Sequence, residues 1–218
     1  MDINQMQTIL QSNLKPNRYA HCLGVMDTAI ILAKRFGVDE EQAAITGLLH
    51  DCAREFATED LIAECEKRHL YITDIDRQLP ILMHAPLGTA IAKEKYDVHD
   101  TAILKAIASH TVGGANMSKL DKIVYLADMI EPHRKFEGLD KLRKQAMTQD
   151  LDTVMISAFN QSILFIMRKG HTIHPYTILD KSISTRNKRP RRIRLISGFF
   201  VFLFVVFVEV LIFFGGIL

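Results

Sequence analysis

The chain has 218 residues, 48% apolar and 24% charged, enough for one globular domain with a sizeable core and something extra. Its formal charge of +2 averages two unlike parts, because residues 186–218 carry six basic residues and a single acid, Glu209. The remaining body is net acidic, which argues against nucleic acid as a partner.

Helical periodicity dominates the body, and no run alternates as a strand would. Residues 3–14 read as a short amphipathic helix closed before Pro16. A longer helix follows, Asn17 to Arg35, ended by Gly37. Asp39 caps a helix that carries Ala43, Ala44, Leu48 and Leu49 toward His50-Asp51, and Arg54 extends that helix. Thr58 opens another, with Glu59 and Asp60 in its first turn. "QLPILMHAPLGTAIAKEKY" reads as two helical pieces broken near His84, since Pro86 disfavours helical backbone at Ala85. Asp100 caps "TAILKAIASH", Ser118 caps "KLDKIVYLADMI", and residues 139–148 and 151–169 give two more helices. The expected class is all-α, one domain over residues 1–185.

Cys22, Cys52 and Cys65 lack CxxC spacing. That argues against a disulfide framework or a zinc knuckle and suits a reducing cytoplasm; they read as small buried apolar residues. The start "MDINQMQTIL" has neither the basic opening nor the apolar stretch of a signal peptide. Residues 186–194, "RNKRPRRIR", form a basic juxtamembrane linker. Residues 195–218 form an apolar run with one charge, Glu209, and are expected to be a transmembrane helix. An acid at mid-membrane costs about 2.5–3.5 kcal/mol, which the many Phe and Leu residues outweigh. Basic residues before the span place the body on the cytoplasmic side. A buried core helix, the fused start of an envelope protein and a read-through product are the competing readings.

Six polar residues interrupt faces that should be core: His21, His50, Asp51, His84, His110 and Asp128. One such residue is ordinarily a satisfied core group. Six of them on five helical segments point to a metal, and the imidazole–carboxylate mixture suits Fe, Mn, Co or Zn. The chain contains a second His-Asp pair, His99-Asp100, but capping accounts for Asp100 and leaves His99 to solvent. There is no serine or cysteine nucleophile with a partnered base and no Walker-type loop, so a metal-activated water is the expected nucleophile.

The order His21, His50-Asp51, Asp128 resembles the H…HD…D signature of HD-domain metal-dependent phosphohydrolases. "RYAHCLGV", "GLLHDCARE", "MHAPLG", "ASHTVG" and "LADMIEPHR" resemble more closely the successive motifs of the YqeK-type members, bacterial symmetrical diadenosine tetraphosphate (Ap4A) hydrolases. The resemblance runs from about residue 3 to about 185 and excludes the tail. It implies a helical bundle around iron, cleavage of Ap4A to two ADP, nucleotide ligands of the ADP/GDP type, and a homodimer. His21, His50, Asp51 and Asp128 would hold a first metal, and His84 and His110 a second, with Asp51 bridging. Arg54 would reach a phosphate and stabilise developing charge. Arg18 would do likewise or orient a ligand carboxylate. Thr111 and Gly113 would offer a hydroxyl and a close backbone approach to phosphate, and Glu131 and Arg134 would line the nucleotide side. For Arg18, Glu131 and Arg134, surface salt bridging competes with those roles. Hydrolysis of dNTPs, ppGpp or cyclic dinucleotides, and a membrane-anchored nucleotide-binding regulator without turnover, are the alternative functions.

Overall fold

The computed structural model describes residues 1–178. Among them are α-helices α1 to α10, a further helical run at 175–178 and three short 3-10 turns, and no strand. α1 (Ile3–Asn13) opens with a reciprocal cap between Asp2 and Gln5. α2 (Pro16–Phe36) begins on Pro16, whose missing N–H would have had no helical partner there, and stops at Gly37 in left-handed backbone (φ 67°). Asp39 caps α3 (Glu40–Leu49). α4 (Leu61–Lys67) and α5 (Asp74–Gln78) are short. α6 (His84–Tyr96) follows a 3-10 turn at Pro80–Met83. Asp100 caps α7 (Thr101–Ser109) through the N–H groups of Ala102 and Ile103, and Ser118 caps α8 (Lys119–Ile130) with Asp121 returning the bond. α9 (Leu139–Thr148) and α10 (Leu151–Arg168) complete the described bundle.

Two buried apolar clusters hold the helices together. Val25 and Leu32 of α2 pack with Ile123 and Leu126 of α8 and Val154 and Phe159 of α10. Leu10 of α1, Leu48 and Leu49 of α3, Leu87 and Ile91 of α6 and Ile107 of α7 form the other. Each such side chain stabilises by about 1.5–3 kcal/mol when fully buried, so two of them outweigh a helix cap at about 1 kcal/mol. All three cysteines are buried and free, and burial pushes the Cys22 and Cys52 thiols well up.

α2 and α3 approach closely at Gly47. A Cβ there would lie 2.9 Å from Met26 Cα and 3.1 Å from the Val25 carbonyl oxygen. That approach brings the end of α3 against the face of α2 that carries His21.

Three local expectations change. α3 stops at Leu49; His50 is its C-cap, Asp51 leaves helical backbone (φ −106°, ψ 18°), and Arg54 sits in a separate 3-10 turn, Cys52–Glu55. Nothing in "HDCARE" is a helix stop, so the bend comes from tertiary packing. The two expected helical pieces do meet at His84, a 3-10 turn ending at Met83 and α6 beginning at His84, but His84 and Ala85 are helical rather than irregular, because Pro86 falls in the first turn, where its missing N–H breaks no helical bond. The helix expected at Thr58 starts as a 3-10 turn (Thr58–Asp60) before α4. Among the described residues no helix is long and apolar enough to cross a membrane. The linker at 186–194 and the span at 195–218 lie outside the described residues.

Candidate metal centre

Five helices deliver side chains to one buried point. His21 comes from within α2, His50 and Asp51 from the end of α3, His84 from the start of α6, His110 from the C-cap of α7 and Asp128 from α8. His50 is 0% and Asp51 4% exposed, a placement that costs several kcal/mol for an unpaired charge.

Asp51 divides the centre in two. Its Oδ2 lies 3.6 Å from His50 Nε2 and 3.8 Å from His21 Nε2. Its Oδ1 lies 3.3 Å from His84 Nε2 and 3.6 Å from His110 Nε2. Asp128 Oδ1 joins the first group, 3.1 Å from His21 Nε2 and 4.0 Å from His50 Nε2. His21, His50 and Asp51 are thus one possible metal-ligand group, and Asp51, His84 and His110 a second.

The histidine tautomers follow from the Nδ1 partners. His50 Nδ1 donates to the Gly47 carbonyl at 2.7 Å, His110 Nδ1 to the Ile107 carbonyl at 2.7 Å, and His84 Nδ1 to the Ile81 carbonyl. A carbonyl cannot donate, so each of these rings carries its proton on Nδ1 and turns an Nε2 lone pair inward. His21 Nδ1 meets Glu131 Oε1 at 3.0 Å instead. The inward atoms crowd in pairs: His21 and His50 Nε2 are 3.2 Å apart, as are His84 and His110 Nε2. Two lone pairs at that separation repel unless a cation lies against both, so the donor sets fit metal ions by their own chemistry.

Charge points the same way. Burial opposes ionisation of Asp51, but His50, His110 and His84 overcome it and hold the carboxyl well below its usual range. Asp128 is likewise held low against burial by His21, His50 and Arg134. Burial pulls His50 down to about 4, against the attraction of Asp51. Burial lowers His110 as well, but the Asp51 carboxylate, 3.6 Å from its Nε2, outweighs it and leaves His110 raised. At neutral pH the first group therefore offers two carboxylates and a neutral His50.

Cationic side chains surround these acids. Arg18 Nη1 lies 2.6 Å from Asp51 Oδ2. Arg134 donates through Nε to the Asp128 backbone carbonyl at 2.8 Å and through Nη2 to the Asp128 carboxylate. Arg54 is half-buried within electrostatic range of Asp51 and Arg18, and makes no hydrogen bond or ion pair through its guanidinium among the described residues.

A cleft of about 580 Å³ opens beside the centre. Arg134 lines it, and so does Thr111, whose hydroxyl is 3.2 Å from His110 Nε2 and 3.3 Å from His84 Nε2. Val112, Met129, Phe136 and Phe165 supply apolar walls, and Gln161, His171 and His174 polar ones. Of these residues, only Thr111 and Arg134 were expected from the sequence. His171 and His174 carry no local signal, because only the fold returns the segment after α10 to the end of α7, where Thr177 bonds the Val112 carbonyl.

Two expected binding residues sit elsewhere. Gly113 is buried, in left-handed backbone (φ 76°), and its N–H is committed to the Ser109 carbonyl at 2.9 Å; it closes α7 rather than presenting backbone to phosphate. Glu131 is 1% exposed and backs His21 instead of lining the nucleotide side.

The comparisons with known proteins agree with this geometry. The HD domain family matches residues 18–132. The symmetrical bis(5'-nucleosyl)-tetraphosphatase of Halalkalibacterium halodurans is 39% identical over 170 residues, 78% of this chain and 90% of that protein. The Bacillus subtilis enzyme of the same name is 38% identical over 181 residues, 82% of this chain and 95% of its own. A crystal structure from Clostridium acetobutylicum, described as an HD superfamily hydrolase involved in NAD metabolism, superposes with a TM-score of 0.82 at 39% identity, covering 86% of this chain and 99% of that one. The chain belongs to the HD-domain family, in its branch of YqeK-type symmetrical bis(5'-nucleosyl)-tetraphosphatases.

Proposed function

We propose that this chain hydrolyses Ap4A and related dinucleoside polyphosphates symmetrically, Ap4A and water giving two ADP, with iron as its metal. One observation carries the metal-dependent reading: both oxygens of a buried aspartate are shared out between two pairs of histidines whose Nε2 atoms face each other at 3.2 Å. The substrate follows from the relatives, which bear the name symmetrical bis(5'-nucleosyl)-tetraphosphatase over most of the chain.

His21, His50, Asp51 and Asp128 would hold one ion, and Asp51, His84 and His110 a second. A first-row cation held there would supply Lewis acidity and would bring the pKa of a coordinated water from 15.7 toward about 7. The chain's own groups do the rest. Arg18 and Arg134 fix the two carboxylates, and Arg54, with no carboxylate of its own to pair, offers its charge to the phosphoryl oxygens as negative charge develops. Thr111 gives a hydroxyl where the cleft meets the second group. The cleft's size suits one nucleoside of the substrate. Cleavage beside the central bridging oxygen leaves a diphosphate on each nucleoside.

Product analysis on a panel of Ap4A, GTP, dNTPs and ppGpp tests the substrate. ADP as the main product from low Ap4A supports the assignment; turnover of another panel member in preference to Ap4A overturns it. His50→Ala should abolish turnover while nucleotide binding persists, which a non-catalytic regulator would not require. Metal analysis of anaerobically purified protein tests iron. We also propose a homodimer, and a cytoplasmic body anchored by residues 195–218. Sedimentation tests the first. Fractionation of the full chain against one ending at Ser184 tests the second, and is lost if both stay soluble.

A further inference from the structure

The four histidines of the centre are not held alike. His50 and His110 are C-caps and His84 follows a 3-10 turn, so each finds the carbonyl three residues earlier, at Gly47, Ile107 and Ile81. Helix ends leave such carbonyls free of full helical bonding. His21 lies inside α2, where the neighbouring carbonyls are used by the helix itself. Its Nδ1 needs a partner from elsewhere, and Glu131 supplies it from the C-cap of α8.

Glu131 is fixed on every side. Its Oε2 accepts from the His133 N–H at 2.6 Å, and its backbone carbonyl accepts from Arg143 Nη2 at 2.7 Å. Room for the carboxylate comes from Gly24, one turn after His21 on α2. A Cβ at Gly24 would lie 2.7 Å from Glu131 Oε2. A carboxyl group is thus buried against a ligand histidine, with a glycine making the space for it.

We propose that Glu131 is a positioning residue for the first metal: it sets the tautomer and orientation of His21, and makes the group of His21, His50, Asp51 and Asp128 the tighter of the two. The physical reason is that an anionic partner on Nδ1 both orients the ring and raises the electron density at Nε2, whereas the other three rings have only neutral carbonyls. This rests on the metal-dependent reading above.

The test is calorimetric titration of metal-stripped full chain with Mn²⁺, in wild type and in a His110→Ala background that leaves the first group alone. Glu131→Gln keeps one acceptor but cannot serve both His21 and the His133 N–H. It should weaken Mn²⁺ binding at the first group by about 10- to 100-fold. Its lost turnover should return as free Mn²⁺ is raised, which a folding defect would not allow. Gly24→Ala, which touches no ligand, should weaken binding in the same direction by displacing the carboxylate. Mn²⁺ affinity of Glu131→Gln within twofold of its parent, or lost turnover that excess Mn²⁺ does not restore, overturns the proposal. Should wild type bind none of Mn²⁺, Fe²⁺, Co²⁺ or Zn²⁺, the metal-dependent reading itself falls, and the proposal with it.

Discussion

The dipeptide His-Asp stands at a helix boundary twice in this chain. At residues 50 and 51 it follows α3, and the polypeptide turns so that His50 is fully buried and Asp51 presents its two oxygens to opposite pairs of histidines. At residues 99 and 100 it precedes α7. There the His99 side chain is 73% exposed and bonds Asp97, while Asp100 receives the first N–H groups of the helix and the Gln42 amide. The comparison teaches that the dipeptide carries no chemistry of its own. A helix that ends in the core leaves His-Asp without water, so other groups must satisfy it; a helix that starts at the surface uses Asp as a cap and leaves His to solvent.

Substitution at the two aspartates should separate the pairs most sharply. Asp51→Ala removes an oxygen from both donor groups, and metal analysis should find both depleted. Several kcal/mol of transition-state stabilisation go with the metal, so kcat should fall by about 10³-fold or more. A variant within tenfold of wild type would place the chemistry elsewhere. Arg54→Ala should come next. It leaves every donor in place and removes a charge aimed at phosphate, so kcat should fall by about 10²-fold with metal content unchanged.

A pH titration of the metal-free protein reads the burial of His50. In the unfolded chain a histidine takes a proton near 6.5, whereas folded His50 does so only at about 4. Between these values the unfolded state binds more protons, so the stability that His50 contributes is complete above 6.5 and is lost as pH falls toward 4. Asp51, also depressed, adds its own loss below about 4. His110 is raised and contributes in the opposite sense, its share lost as pH rises. Thermal melts across pH 4–7 should therefore show a slope that His50→Gln reduces; an unchanged slope would deny that His50 is held neutral. The smallest effect belongs to the surface pair. Asp100→Ala loses an N-cap, about 1 kcal/mol or about 2–4 °C in Tm, with turnover and metal content at wild-type levels. A drop in turnover at Asp100 would erase the distinction between the pairs.

Legibility in the sequence tracks the range of the forces involved. Asp39, Asp100, Ser118 and Gly37 could be read as helix boundaries because a cap involves a side chain and backbone two or three residues away. The histidines and acids of the centre stood out because each breaks an apolar face. The end of α3 at Leu49 did not, since packing at Gly47 and the needs of the centre bend the chain where no local signal stops it. The family resemblance in "LADMIEPHR" implies a nucleotide-side role for Glu131. Its burial against His21, 110 positions earlier, has no trace in local spacing.

The sequence by itself determined the helical class, most helix limits, and which six residues interrupt the core, because periodicity and capping are local and polar residues on apolar faces are conspicuous. Tertiary structure alone decided the division of labour among them. Which oxygen of Asp51 faces which histidines, which rings lean on carbonyls and which on Glu131, and that Gly113 closes a helix, are fixed by how five helices meet. Those choices depend on distances of a few ångströms between residues far apart in the chain, and it is close packing of the core that sets them.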